Sequence, residues 1–154
     1  MRQMELLVIP ASSSMQLGTL IDAASKVEDA QIFDADSIFS VKHIELAFFH
    51  AQKAFKEKTN LTKSLKMEFL LRAAATRQIK VAVDRCGVKN PDRILLAVWG
   101  KEEDNMAKIL SAFKAKKKKL KADEYYLISL YKLDKKKDIE EQIIEKMVKV
   151  QVED

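Results

Sequence analysis

A chain of 154 residues, 47% of them hydrophobic, can bury a self-sufficient core as one domain over residues 1–154, with no need of a disulfide or a structural metal. Three Gly and two Pro leave few tight turns, which argues against disorder and against a many-stranded β fold, and favours long helices. The net charge of +5 is unevenly spread: from Lys53 to Arg93 eleven Lys or Arg stand against four acids, so the remainder sums to −2. Such a distribution suits either an anionic partner such as a nucleic acid or a solvated basic face.

Glu5 to Pro10 reads as a first strand, closed by Pro10, and Ser12, Ser13 and Ser14 offer hydroxyls to cap a following helix. That helix carries Leu17, Leu20, Ile21 and Ala24 on one stripe, and Ala30 to Asp34 reads as a short second strand. Asp36, Ser37 or Ser40 can cap the next helix, whose apolar positions Ile44, Ala47, Phe48, Ala51 and Phe55 keep the helical period. Ser64 to Ala75 is apolar nearly all round, as a helix at the centre of a domain would be, with Glu68 and Arg72 placed to pair on its exposed strip. Ile79, Ala82, Val83 and Cys86 define another helix, ended by Gly87. The apolar run from Ile94 to Trp99 reads as the central strand, and Met106, Ile109, Leu110 and Phe113 as a further helix.

Six lysines then fall between Lys114 and Lys121, a run read as a solvated, basic helix end. Tyr125 to Leu130 fits a strand or a short helix equally. The last helix starts near Asp138, with Glu141 three residues on as in a capping box, and buries Ile139, Ile143 and Met147. The expected fold is α+β: a small, mostly antiparallel sheet covered by a majority of helices.

Catalytic chemistry finds little support. Gly18, Gly87 and Gly100 are too scattered for a phosphate loop. His43 and His50 sit about two turns apart on one helix side, too far to share a metal, and packing or capping is expected of His43 and exposure of His50. Cys86 belongs to an apolar stripe and reads as a buried small hydrophobe. No enzyme activity, cofactor or metal is therefore expected. A lone cysteine suits a reducing cytosol, the apolar runs fall short of the roughly 18 residues of a membrane span, and the start lacks a signal-peptide pattern; a cytoplasmic location is expected.

The stretch from His43 to Val88 adds a more specific signal. His43-Ile44-Glu45-Leu46-Ala47 opens a helix that continues through His50-Ala51 and Ala54-Phe55 to a basic loop, Lys56-Glu57-Lys58-Thr59-Asn60. Met67-Glu68-Phe69-Leu70-Leu71-Arg72-Ala73-Ala74-Ala75 follows, then Thr76-Arg77-Gln78-Ile79 and Ala82-Val83. This order resembles the kinase-binding subunit of the KEOPS complex, over about a third of the chain.

The resemblance implies a non-catalytic accessory that binds and stimulates a small atypical kinase or ATPase and captures the single-stranded 3′ CCA end of tRNA. It thereby supports threonylcarbamoyl-adenosine modification, with the threonylcarbamoyl-transferring subunit as an indirect partner. It implies RNA contacts at Arg72, Thr76, Arg77, Gln78 and Lys80, extended by Lys56, Lys58 and Lys63. It also implies kinase docking on the C-terminal helix through Ile143, Ile144, Met147, Val148, Val150 and Val152. Ala74-Ala75 stand where the family carries Ser-Gly or a similar flexible pair, so a turn of different shape is expected there. The rival reading is a general basic nucleic-acid-binding protein.

Overall fold

The computed structural model describes residues 5–100 and 104–152, the side chains of 104, 105, 151 and 152 excepted. In chain order the elements are β1 (Leu6–Ser13), α1 (Leu17–Ser25), β2 (Ala30–Asp34), a 3₁₀ turn (Ala35–Ser37), α2 (Val41–Glu57), α3 (Leu65–Ala74) and α4 (Ile79–Cys86). There follow β3 (Ile94–Trp99), α5 (Asp104–Ala112), β4 (Ala115–Lys117), α6 (Glu124–Tyr131) and α7 (Ile139–Val152). Among the described residues this is one α+β domain of seven helices on a four-stranded antiparallel sheet.

The strand order is β2-β3-β1-β4, so β3 is central as its uninterrupted apolar run implied. All six of its residues are buried because helices cover both faces of the sheet. Leu95, Ala97 and Trp99 point to one core, and Ile94, Leu96 and Val98 to the other, the alternation that strand geometry imposes. On the larger side Phe33, Phe48, Phe69 and Trp99 meet edge to face or tilted, with ring centroids 4.8–5.7 Å apart, an arrangement that adds quadrupole attraction to the burial of area. The α2–α3 hairpin, α4, α6 and α7 close that side, while Leu20 and Ala24 of α1, Met106 and Ile109 of α5 and Phe113 just beyond it pack the other.

Three expectations are corrected. β1 runs past Pro10 to Ser13. The Pro10 carbonyl accepts the Lys118 N–H, so its ring nitrogen faces the β4 side beyond the last β1–β4 pair, Ala11↔Lys117, and β3 loses no hydrogen bond. Ser12, Ser13 and Ser14 are accordingly not caps of α1, whose N-cap is Gln16 with no side-chain cap; Ser13 is buried and donates to the Phe113 carbonyl at 2.6 Å. Only Lys114 lies at a helix end, turning the chain out of α5 at φ 49°; the rest of the run becomes the edge strand β4 and the segment after it.

Other boundaries follow their local chemistry. Ser40 caps α2 by accepting from the His43 N–H, and Asp138 does the same for Glu141 at the start of α7. Tyr125 to Leu130 is helical, within α6, capped by Asp123. Gly87 does end α4, although its φ of −66° is open to any residue. The position instead requires the missing side chain, because a Cβ there would lie 2.4 Å from the Val83 carbonyl oxygen.

Candidate functional site

Ala75 ends α3 in the left-handed conformation, φ 55° and ψ 49°. Its N–H and that of Thr76 bond back to the carbonyls of Arg72 and Leu71. The turn expected to change shape without a glycine is thus left-handed all the same, at a cost of about 1–2 kcal/mol for a residue with a Cβ. What holds it is a buried polar node under the end of α3. His43 accepts the Phe39 N–H at Nδ1 (3.1 Å), which places its proton on Nε2, and Nε2 donates to the Ala73 carbonyl at 2.8 Å. Arg85 donates to the Ala74 carbonyl at 2.7 Å and lies over the Tyr131 ring. Tyr131 donates to the Ser37 carbonyl at 2.8 Å and sits 3.2 Å from both the Ala73 carbonyl and Cys86 Sγ. The unpaired carbonyls of a helix end are satisfied from three other elements.

These are structural roles. Burial holds the His43 ring down to about 4 and pushes the Cys86 thiol up, so one is a neutral imidazole and the other an unreactive thiol. His50 is half-buried rather than exposed; burial lowers its pKa, and the cations Arg72 and Lys53 add to that. Among the described residues no three His, Cys, Asp or Glu side chains cluster as metal ligands would.

From the turn the chain emerges at Arg77, Gln78 and Lys80, all exposed, with Thr76 half-buried and accepting the Gln78 N–H at 3.2 Å. Gln78 is the N-cap of α4 and makes no side-chain cap. Arg77 donates through Nη1 to the Val150 carbonyl at 2.8 Å.

Arg72 does not join them. Its side chain is 2% exposed, and Nε and Nη2 grip Glu68 Oε2 at 3.0 and 2.7 Å. The other Glu68 oxygen accepts from the Leu61 and Thr62 N–H groups and from the Thr62 hydroxyl, at 2.9–3.0 Å. The pair expected on an exposed strip is a buried staple that ties the α2–α3 loop to α3. Lys56, Lys58 and Lys63 are exposed around that loop. They lie at the opposite end of α3 from Arg77, and ten helical residues put about 15 Å between the two groups. The expected positive track is therefore two separate clusters.

Other cations of the basic stretch are spent internally. Arg93 pairs with Asp36 at 2.6 Å and Lys89 with Asp34 at 3.4 Å. Lys66 donates to the α1 carbonyl of Ala24 and to that of Val27 at 2.7 and 2.8 Å, and its burial lowers its pKa. Sequence alone could not separate these from the surface lysines, since their partners lie 39–57 residues away along the chain.

On α7 the apolar surplus divides. Ile143, Met147 and Val150 are 0–3% exposed and belong to the core, so they cannot offer a docking face. Ile144 is half-buried and Val148 is 45% exposed. The side chain of Val152 lies outside the described residues. No helix among the described residues is long and apolar enough to cross a membrane.

A comparison with individual curated proteins finds no match. The family model described as kinase binding protein CGI-121 matches residues 12–151, nearly the whole chain, from the end of β1 to the last turn of α7. The chain belongs to the CGI-121 family of non-catalytic kinase-binding subunits.

Proposed function

We propose that this protein is the accessory subunit of a KEOPS-type complex, which docks on and stimulates a small atypical kinase or ATPase and recruits tRNA by its single-stranded 3′ CCA end. Family membership carries the kinase half of this reading. The RNA half is supported by one observation: Arg77 and Gln78 are exposed on a turn that the His43, Arg85 and Tyr131 side chains pin from beneath. A preorganised pair of this kind suits an unstacked strand. The guanidinium can face a phosphate or stack on a base, and the amide donates and accepts at once along a base edge. Lys80 adds charge beside them, and the uncapped first turn of α4 presents amides to a phosphate oxygen. Lys56, Lys58 and Lys63, about 15 Å away, would meet a different part of the RNA. Arg72 is withdrawn from the RNA set by its burial.

For kinase docking, Ile144 and Val148 are the α7 positions with exposed apolar surface. In the resulting assembly the threonylcarbamoyl-transferring subunit is an indirect partner, and the place of work is the cytoplasm. The test is a mobility shift with intact tRNA and with the same tRNA lacking CCA. Loss of binding on trimming is the expected result. Equal binding to both, and to duplex DNA, favours a general basic nucleic-acid-binding protein and leaves only the kinase half standing.

A further inference from the structure

We infer that the lysine run from Lys114 to Lys121 is a second RNA contact, a cationic strip that holds phosphates of the duplex stem next to the single-stranded 3′ end. The inference rests on reading Arg77 and Gln78 as the site for that end.

Only Lys114, which ends α5 in the left-handed conformation, stands where a cation answers a helix dipole; from Ala115 on the run is not helical. Lys114, Lys116, Lys117, Lys119 and Lys121 are all exposed. Lys118 differs: its ammonium lies 2.7 Å from the Asp92 carboxylate, so these two charges neutralise each other. No Asp or Glu occurs from Asn105 to Ala122, and the strip is undiluted positive charge. Protection of a sheet edge accounts for part of it, since β4 is the terminal strand and lysines there discourage edge-to-edge pairing. That accounts for Lys116 and Lys117, which lie in β4, and with Lys114 at the end of α5 it leaves Lys119 and Lys121 outside both elements without a reason.

The position of the strip supplies one. Lys121 shares a cavity of about 160 Å³ with Ser40 and Val41 at the start of α2. In the first turn of that helix His43 bonds the Ala73 carbonyl, at the end of α3 from which Arg77 emerges. The strip therefore ends at the same end of the α2–α3 hairpin as Arg77. Eight residues reach at most about 28 Å, enough to lie along several successive phosphates. A peptide adding a strand to β4 fits less well, because the strand has only three residues and its lysines oppose such pairing. Lysines are point charges on flexible stems, suited to backbone phosphates without sequence choice. Division of labour follows: Arg77 and Gln78 read the single strand, and the strip holds the stem.

The experiment measures affinity across a salt series for three RNAs: intact tRNA, tRNA lacking CCA, and a short single strand ending in CCA. The variant carries Lys116→Gln, Lys117→Gln, Lys119→Gln and Lys121→Gln, and its thermal melt is compared with that of the unaltered protein. A Lys119→Glu, Lys121→Glu variant, altered only outside β4, serves if the first one fails to fold. Expected is a loss of at least about tenfold in tRNA affinity and a salt slope shallower by about 3, with binding of the short strand unchanged. The residual binding of trimmed tRNA should fall as well. Unchanged tRNA affinity and slope overturn the strip. An equal loss on the short strand also overturns it as a stem contact. If Arg77→Ala leaves the short strand bound, the reading of the 3′-end site fails, whatever the lysine variants do.

Discussion

Arg77 reaches across 73 residues of sequence to donate a 2.8 Å hydrogen bond to the carbonyl of Val150, in the last turns of α7. The side chain best placed to meet RNA therefore also caps the helix that carries the exposed Val148. A cation at a helix C-terminus suits the carbonyls left open there.

Arg77→Ala should weaken tRNA binding by about tenfold, the scale of one lost stacking or charge-assisted contact. The fold should survive, because Arg77 is exposed and the lost bond is worth about 1 kcal/mol. Mobility shift at moderate salt and a thermal melt check the two halves. Unchanged affinity would remove Arg77 from the RNA site. Combining it with Arg72→Ala would obscure the result, since Arg72 is part of the core.

Glu68→Ala and Arg72→Ala should each cost about 3–5 kcal/mol, because either breaks a buried ion pair. Glu68→Ala also frees the Leu61 and Thr62 amides. Urea unfolding of the two single variants and the double decides the point. A double variant less damaged than the sum of the singles is expected for a coupled pair.

Ala75→Gly should stabilise the protein by about 1 kcal/mol, since the backbone already sits at φ 55° and glycine removes the Cβ penalty. A fall in denaturation midpoint would contradict the assignment of that turn.

Stability should decline on mild acidification. The folded state holds His43 at about 4, while an unfolded histidine titrates near 6.5. Above pH 6.5 the ring is neutral in both states and the stability is fully present. As pH falls toward 4 the unfolded chain takes up a proton the folded one refuses, and about 3 kcal/mol is lost. Below 4 both states are protonated and the slope ends. Half-buried His50, also lowered, acts in the same direction. Melting temperatures between pH 7 and 5 should fall less steeply for His43→Gln; equal slopes would exclude His43 as the source.

Val148→Arg should reduce co-elution with the kinase while leaving the melt unchanged, because its side chain already meets solvent. Met147→Arg, at a position 1% exposed, should instead unfold the domain. Kinase binding undiminished in folded Val148→Arg would move the docking surface away from α7.

Much of this protein was legible in local pattern. The i, i+3, i+4, i+7 spacing of Leu17, Leu20, Ile21 and Ala24, the cap at Asp138, the capping cluster Asp36, Ser37 and Ser40, of which Ser40 is the cap, and the unbroken run Ile94–Trp99 each depend on neighbours within a turn or a strand, and each predicted its element. The order from His43 to Val88 likewise carried the family. The fates of charged and apolar side chains with distant partners were not legible. The same helical spacing describes Arg72 on an exposed strip or sealed on Glu68, and Met147 in a docking face or in the core. The lysine run offered no apolar period, so only pairing with β1 made Ala115–Lys117 a strand. Sequence determined which elements form, because propensity and amphipathic period act between near neighbours. Tertiary structure alone decided which cations remain at the surface, because burial and ion pairing depend on groups brought together from far along the chain.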